Sequence, residues 1–283
     1  MTLLESIQQF TITLQPLYDA REAAAIAKRY HAFLTGLDDW ALPLHYDDAL
    51  TEAQLTQCRR DLPLLQESRP LQYVTGEADF YGLSFKVTPE VLIPRPETEE
   101  LVAMVVERAN CWVRPSIWDV GTGSGCIAIA VAKALPNSEV YATDRSAGAL
   151  RIANENAERH YVRIHYALHD MFDTTLPFPP GDFHIIVSNP PYIPASDKAI
   201  MHPNVVRHEP HAALFVPDND MLCCYKALAK LAAQLLSDDG ILMVETYHGF
   251  HKELAEVFAA QGLSNTQSLQ DINGRDRFMI ATR

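Results

Sequence analysis

Along residues 1–70 the apolar positions keep a helical rhythm. Ile26, Tyr30, Phe33, Leu34 and Leu37 recur at three- and four-residue spacings, so they fall on one face of a helix, and no alternating run interrupts the pattern. Thr51-Glu52-Ala53-Gln54 has the form of a capping box, with a hydroxyl and an amide exchanging bonds with each other's backbone N–H. It predicts a short helix ending near Pro63, because proline cannot continue one. Residues 1–70 are therefore expected to form a small helical bundle.

The rhythm then changes. Arg69-Pro70-Leu71-Gln72-Tyr73-Val74-Thr75-Gly76 and the run from Phe80 to Val87 are short, β-prone and separated by turn residues, which predicts a β-hairpin linking two domains over residues 71–95. Pro96 at a first helical position, followed by Glu97, Glu99 and Glu100, opens a helix with Leu101, Val102, Val105 and Val106 inward. Beyond it, apolar runs alternate with helical periods. Strands are predicted at Ser116–Val120, Glu139–Thr143, Arg163–His169, Phe183–Ser188 and Ile241–Glu245, with helices near 125–135, 146–160, 221–237 and 250–261. That alternation predicts an α/β fold over 96–283, a parallel sheet covered by helices on both sides. Leu263–Leu269 and Arg277–Thr282, separated by Asn273-Gly274, add an antiparallel hairpin at one edge.

Composition narrows the partners. With 283 residues the chain has room for an α/β domain and a smaller companion, and 48% hydrophobic with 21% charged residues is ordinary for a globular protein. The net charge of −13, with no basic block to override it, disfavours nucleic acid. The five cysteines are odd in number and lack CxxC spacing, so neither a disulfide framework nor a zinc site is expected; they read as small buried hydrophobes in a reducing compartment. No basic start with an apolar core marks a signal peptide, and no apolar run reaches the roughly 18 residues of a membrane span. A cytoplasmic protein with no membrane partner and no metal is expected.

The candidate chemistry sits at the ends of the predicted strands. The first ends in Asp119-Val120-Gly121-Thr122-Gly123-Ser124-Gly125. Glycines at alternate positions let the backbone turn tightly and approach a ligand at the carboxyl edge of the sheet. The third glycine comes one position too early for a dinucleotide fingerprint, and this spacing after an acidic residue suits S-adenosylmethionine, which needs no pyrophosphate cradle. The second strand ends in Asp144, placed to accept both ribose hydroxyls; the alternative is that it caps the helix near Ser146. The third ends in His169-Asp170-Met171-Phe172, able to bracket an adenine ring, although Met and Phe are more often core residues.

The fourth strand ends in Ser188-Asn189-Pro190-Pro191-Tyr192. Two prolines stiffen the backbone and leave the Pro190 carbonyl outside the ladder, Asn189 supplies a side-chain acceptor, and Tyr192 offers a flat face for stacking. A planar NH2 group could donate one hydrogen to each acceptor. Because the nitrogen lone pair of an amide or aromatic amine is delocalised, two acceptors that orient and polarise it would ease methyl transfer without a metal or a strong base.

These segments resemble a known family over nearly the whole chain, the HemK/PrmC release-factor glutamine methyltransferases. The resemblance lies in the segment from Arg69 to Gly76, the run from Leu92 to Glu99, the loop Gly121–Gly125, the segment from Ile186 to Ile193, and His208-Glu209-Pro210. It implies a helical N-terminal substrate-recognition domain, a seven-stranded Rossmann-like class I methyltransferase domain, and methylation of the glutamine of the Gly-Gly-Gln loop in bacterial class-I peptide chain release factors. By the same resemblance Gly121, Thr122, Gly123, Gly125, Asp144, Met171 and Asn189 are expected to contact S-adenosylmethionine, and Asn189, Pro190, Pro191 and Tyr192 to hold the glutamine. Arg95, in the matching Pro-Arg-Pro segment, is expected to help shape the cofactor pocket and the substrate entrance, the alternative being a plain surface role. Two places depart from the family pattern: Phe215–Asp220 is poorer in glycine, and Met171 replaces a commonly aromatic residue.

Three other readings stay open on the residues. The same Asn-Pro-Pro-Tyr constellation serves DNA adenine methylation, against which the acidic charge and the missing basic domain count. A glutamine of a ribosomal protein is a sister substrate. A non-catalytic S-adenosylmethionine-binding adaptor is the third, and the intact loop argues against it.

Overall fold

The computed structural model describes residues 1–179 and 183–283. They form two compact units, Met1–Glu77 with His202–His208, and Ala78–Met201 with Glu209–Arg283.

The first unit is helical: α1 (Leu3–Leu14), α2 (Ala20–Thr35), α3 (Glu52–Gln66), α4 (Leu71–Thr75) and, much later in the chain, α8 (Pro203–His208). Thr2 and Glu5 close a capping box on α1, and Thr51 and Gln54 close the expected one on α3. The buried face of α2 is Ala23, Ala27, Tyr30 and His31, whereas Phe33, expected on that face, is exposed. Small alanines let α1 approach closely enough for Phe10 to stack on Tyr30 at 4.8 Å. Helix α3 does not stop at Pro63; it continues to Gln66, because burial of Leu65 offsets the hydrogen bond the proline cannot donate.

A second correction concerns Arg69–Gly76, which was expected to be extended. Leu71–Thr75 is a helical turn, opened by Pro70 and ended by Gly76 in the left-handed conformation at φ 81°. Packing of Leu71 and Val74 against the helical core overrides the strand preference of Val74 and Thr75. The hairpin follows instead as β1 (Glu77–Phe80) and β2 (Leu83–Lys86). Tyr81 and Gly82 both have positive φ there, as a two-residue hairpin turn requires.

The second unit is built on a seven-stranded sheet. Its elements are α5 (Pro96–Ala109), β3 (Ser116–Val120), α6 (Cys126–Ala134), β4 (Glu139–Asp144), α7 (Ala147–Arg159), β5 (His165–Leu168), β6 (Phe183–Ser188), the two-residue strands β7 (Ile193–Pro194) and β8 (Phe215–Val216), α9 (Cys223–Leu235), β9 (Leu236–Glu245), α10 (His251–Ala259), β10 (Ser264–Gln270) and β11 (Asp276–Thr282). The order is β10-β11-β9-β6-β3-β4-β5. From β9 to β5 neighbouring strands are parallel, and β11 enters antiparallel between β9 and β10. β9 is longer than expected, beginning at Leu236 directly after α9.

Both faces of the sheet are covered, and successive residues serve opposite layers. Ile241, Met243, Phe278 and Ile280 join the core on one side; Leu242, Val244, Met279 and Ala281 join the core on the other. This is the period-two geometry of a strand with no solvated face. The central position of β3 and β6 brings the loops after them to the carboxyl edge side by side. Cys58 and Cys224 are buried and Cys126 and Cys223 half-buried, but Cys111 is exposed, correcting its expected burial: it lies in the turn after α5. Among the described residues no helix is long and apolar enough to cross a membrane.

Gly125 closes the β3–α6 turn at φ 83°, where an added Cβ would lie 2.9 Å from Ile129 Cδ1 and 3.1 Å from Ala153 Cβ. Gly123 also has positive φ, yet a Cβ there meets nothing within 4 Å. Gly125→Ala is therefore expected to lose about 2–4 kcal/mol in urea unfolding, and Gly123→Ala about 1 kcal/mol. Equal losses would remove helix packing as the reason for Gly125.

Candidate active site

The loop after β3 is drawn across the end of β4. Gly121 and Thr122 both donate their backbone N–H to the Thr143 carbonyl at 2.9 Å, and Gly123 N–H donates to Asp144 Oδ2 at 2.9 Å. The other carboxylate oxygen accepts Ser146 N–H at 2.9 Å. Ser146, not Asp144, caps α7, accepting from Ala149 N–H. Asp144 therefore braces two loops while each of its oxygens retains a further lone pair. Burial pushes its carboxyl above the usual range, opposed by those backbone donors.

Beneath the loop Asp119 is fully buried. Its Oδ2 accepts the Thr122 hydroxyl at 2.6 Å and Ala128 N–H at 3.2 Å, whereas Oδ1 has no protein partner. Desolvation outweighs those bonds and pushes the carboxyl up to about 7.

Gly121, Gly123, Asp144, Met171, Asn189 and Pro191 line one cavity of about 210 Å³ at this edge. A single water needs roughly 10–15 Å³ of such space, so a nucleoside-sized group fits. His169, Asp170 and Phe172 lie on the same wall, and the buried Nε2 of His169 lacks a protein partner. Burial pushes this imidazole below its ordinary pKa, against the pull of Asp173 and Asp170, and so favours its neutral form. The other expected residues stand elsewhere. Thr122 turns to Asp119, Gly125 packs under α6, Pro190 is buried, and Tyr192 lines a neighbouring cavity with Tyr247 and Arg277.

A buried polar network holds the loop after β6 from behind. Asn189 Nδ2 donates to Thr98 Oγ1 at 3.0 Å, and the Thr98 hydroxyl donates to Glu245 Oε2 at 2.7 Å. Tyr192 donates its hydroxyl to Glu245 Oε1 at 3.0 Å, with Arg277 Nη1 3.6 Å from the same oxygen. Arg277 Nε in turn donates to Asp271 Oδ2 at 2.9 Å. Burial pushes Glu245 above the usual carboxylate range; the two hydroxyl donors and the guanidinium oppose it. The chain beyond Tyr192 is held by pairing of β7 with β8, and Ser196 N–H donates to Asp218 Oδ1 at 3.0 Å, inside the glycine-poor stretch Phe215–Asp220.

Arg95 does not line the cavity. Its Nη2 donates to buried Glu209 Oε1 at 2.7 Å, while Glu209 Oε2 accepts Ile93 N–H at 3.3 Å. The segment from Leu92 to Glu99 and the His208-Glu209-Pro210 segment thus meet in one ion pair. Sequence reasoning singled out neither Thr98 nor Glu245. A carboxylate ending the wholly apolar run Ile241–Val244 was the available signal, since a strand end at the carboxyl edge is where α/β folds place functional groups. Among the described residues no cluster of three or more His, Cys, Asp or Glu could hold a metal ion.

A left-handed glycine loop, an acidic strand end and a loop of paired prolines around one cavity, on a sheet of this order, define a methyltransferase of the α/β class. A family model described as methyltransferase small domain matches residues 98–210, and one described as PrmC N-terminal domain matches residues 5–76. The solved methyltransferase of Pyrococcus furiosus has a TM-score of 0.51 and 14% identity, covering 82% of this chain and 98% of that one, a likeness of fold. A release factor glutamine methyltransferase of Flavobacterium psychrophilum is 40% identical, covering 96% of this chain and 95% of its own. One of Bacteroides thetaiotaomicron is 35% identical, covering 96% of each. The chain belongs to the release factor glutamine methyltransferase family.

Asp119 predicts a measurable pH dependence. Its carboxyl binds its proton more tightly folded, at about 7, than unfolded, at 3.8, so between those values the folded state holds more protons and loses stability as pH rises. In Asp119→Asn that component is absent. The urea midpoint is expected to fall less between pH 5 and pH 7.5 in the variant than in the wild type, and identical slopes would show that Asp119 does not titrate in this window.

Proposed function

We propose that the cavity binds S-adenosylmethionine and that the enzyme transfers its methyl group to the side-chain amide nitrogen (N5) of the glutamine in the Gly-Gly-Gln motif of class-I peptide chain release factors. The observation that carries this reading is the Asn189–Tyr192 loop, whose Asn189 and Pro191 stand on the wall of the same cavity as the glycine loop and Asp144. The extent of likeness to relatives named release factor glutamine methyltransferase supports the substrate.

The residues present suit the cofactor. Gly121 and Gly123 leave the cavity floor without side chains, Asp144 keeps lone pairs for ribose hydroxyls, and neutral His169, with Met171 and Phe172, offers a polar atom and apolar surface for an adenine ring. Thr122 and Gly125 act from beneath, holding the loop that shapes the pocket. When bound, the sulfonium supplies a methyl group already activated toward attack.

The protein's own part is orientation. Asn189 Oδ1 and the Pro190 carbonyl each accept one hydrogen of the glutamine NH2, Pro191 stiffens the turn between them, and Tyr192 presents its ring to the planar amide. Holding both hydrogens turns the nitrogen lone pair toward the incoming methyl group and favours the loss of amide planarity that transfer requires. As the nitrogen–carbon bond formed, the methyl–sulfur bond would break to leave a neutral thioether, and the proton given up by the nitrogen would pass to solvent. Residues 1–70 are read as the substrate-recognition domain and 96–283 as the transferase, and the expected linker 71–95 is divided between them, 71–77 grouping with the helical unit and 78–95 with the sheet unit. The match of residues 5–76 to the PrmC N-terminal domain supports that assignment. A release factor as partner places the enzyme in the cytoplasm, and the charge of −13 argues against direct contact with nucleic acid.

Labelled methyl is expected to pass from S-adenosylmethionine to a purified release factor, and to disappear when the Gly-Gly-Gln glutamine of that factor is changed to alanine. Label on DNA or on a ribosomal protein instead would overturn the substrate. Asn189→Ala is expected to keep most of its cofactor affinity by calorimetry while methyl transfer falls about 10²-fold or more. Near-normal turnover would remove Asn189 from the mechanism.

A further inference from the structure

A carboxamide has a donor end and an acceptor end, and an incoming NH2 group is served only by the acceptor. Which end of Asn189 is available is decided behind it, at Thr98 and Glu245. Both are buried, at 2% and 0% exposure. With the Arg277 guanidinium 3.6 Å from its other oxygen, Glu245 acts as an acceptor, and its Oε2 at 2.7 Å takes the single proton of the Thr98 hydroxyl. The hydroxyl oxygen then has only lone pairs left for Asn189, and the group facing it at 3.0 Å must be Nδ2. The reversed amide would set Oδ1 against an oxygen with no proton to offer. Oδ1 is thereby turned away from Thr98, on a residue that lines the cavity.

The other oxygen of the same carboxylate accepts the Tyr192 hydroxyl at 3.0 Å, and Arg277 at 3.6 Å supports its negative charge. One group therefore governs both ends of the Asn189–Tyr192 loop. Helix architecture does not account for the Thr98 hydroxyl. Thr98 sits in the first turn of α5, whose N-cap receives no side-chain hydrogen bond, and its hydroxyl is directed to another strand of the fold.

We propose that Thr98 and Glu245 are positioning residues for methyl transfer: the Glu245 carboxylate sets the direction of the Thr98 hydroxyl, which locks the Asn189 amide with its oxygen toward the substrate NH2, while Tyr192 is pinned by the second oxygen. The proposal rests on the reading of Asn189 as the acceptor for a glutamine amide.

The test compares Thr98→Val, which keeps the shape and removes the hydroxyl, with Thr98→Ser, which restores it. With S-adenosylmethionine and a purified release factor, kcat is expected to fall about 10-fold or more in Thr98→Val while both KM values stay within about threefold. Thr98→Ser is expected to keep kcat within about threefold of wild type. A folded Thr98→Val with wild-type kcat, or a Thr98→Ser as impaired as the valine variant, overturns the proposal. Thr98→Ala, which also lacks the hydroxyl, gives the same comparison if circular dichroism shows that valine unfolds the protein. Wild-type enzyme that leaves the release factor unlabelled overturns the substrate reading and the proposal with it, whereas active wild type with an indifferent Thr98→Val overturns the proposal alone.

Discussion

A carboxylate with no exposed surface, Glu245 at the end of β9, is the constraint around which the carboxyl edge of the sheet is arranged. A buried charge without partners costs several kcal/mol, so the fold must bring donors to it. They come from three separate stretches: Thr98 from the first turn of α5, Tyr192 from the loop after β6, and Arg277 from β11. Meeting the needs of one side chain thus joins the Pro-Glu-Thr-Glu segment, the Asn-Pro-Pro-Tyr loop and the terminal hairpin in one network. Asp271 extends it, accepting Arg277 together with the Asn273 and Arg275 backbone amides that close the hairpin turn.

The glycine-loop side of the same edge follows the same logic with backbone donors. Peptide N–H groups freed by the left-handed turns of the glycine loop go to the Thr143 carbonyl and to Asp144, and the Thr122 hydroxyl goes to Asp119. Two acidic residues of similar appearance in sequence acquire different environments. Asp144 stands on the cavity wall, whereas Asp119 is sealed beneath the loop with one oxygen unpartnered and a carboxyl that burial pushes up to about 7.

Much of this was legible in the chain. Strands buried on both faces read as short apolar runs, so β3, β4, β6 and β9 were visible, and the glycine loop and the Asn189–Tyr192 loop followed from being placed at their ends. Local propensity misled where packing outweighed it: Val74 and Thr75 favour a strand but lie in a helical turn, and Pro63 fails to end a helix that buries Leu65 beyond it. Phe33 shows the limit of helical periodicity, which finds a face but not its edge when neighbouring alanines do the close packing.

The sequence by itself determined the class of fold, the strand-end loops and the Asn-Pro-Pro-Tyr motif, because each is carried by residues adjacent in the chain. Only the tertiary structure decided that Thr98 and Glu245 stand behind Asn189, that Arg95 is spent on Glu209, and that Asp119 and Asp144 differ. Those pairings join residues up to 147 positions apart, and no local periodicity encodes them. They exist because the parallel order of β9, β6 and β3 brings the carboxyl ends of distant strands to a single edge, where buried polar groups must find one another.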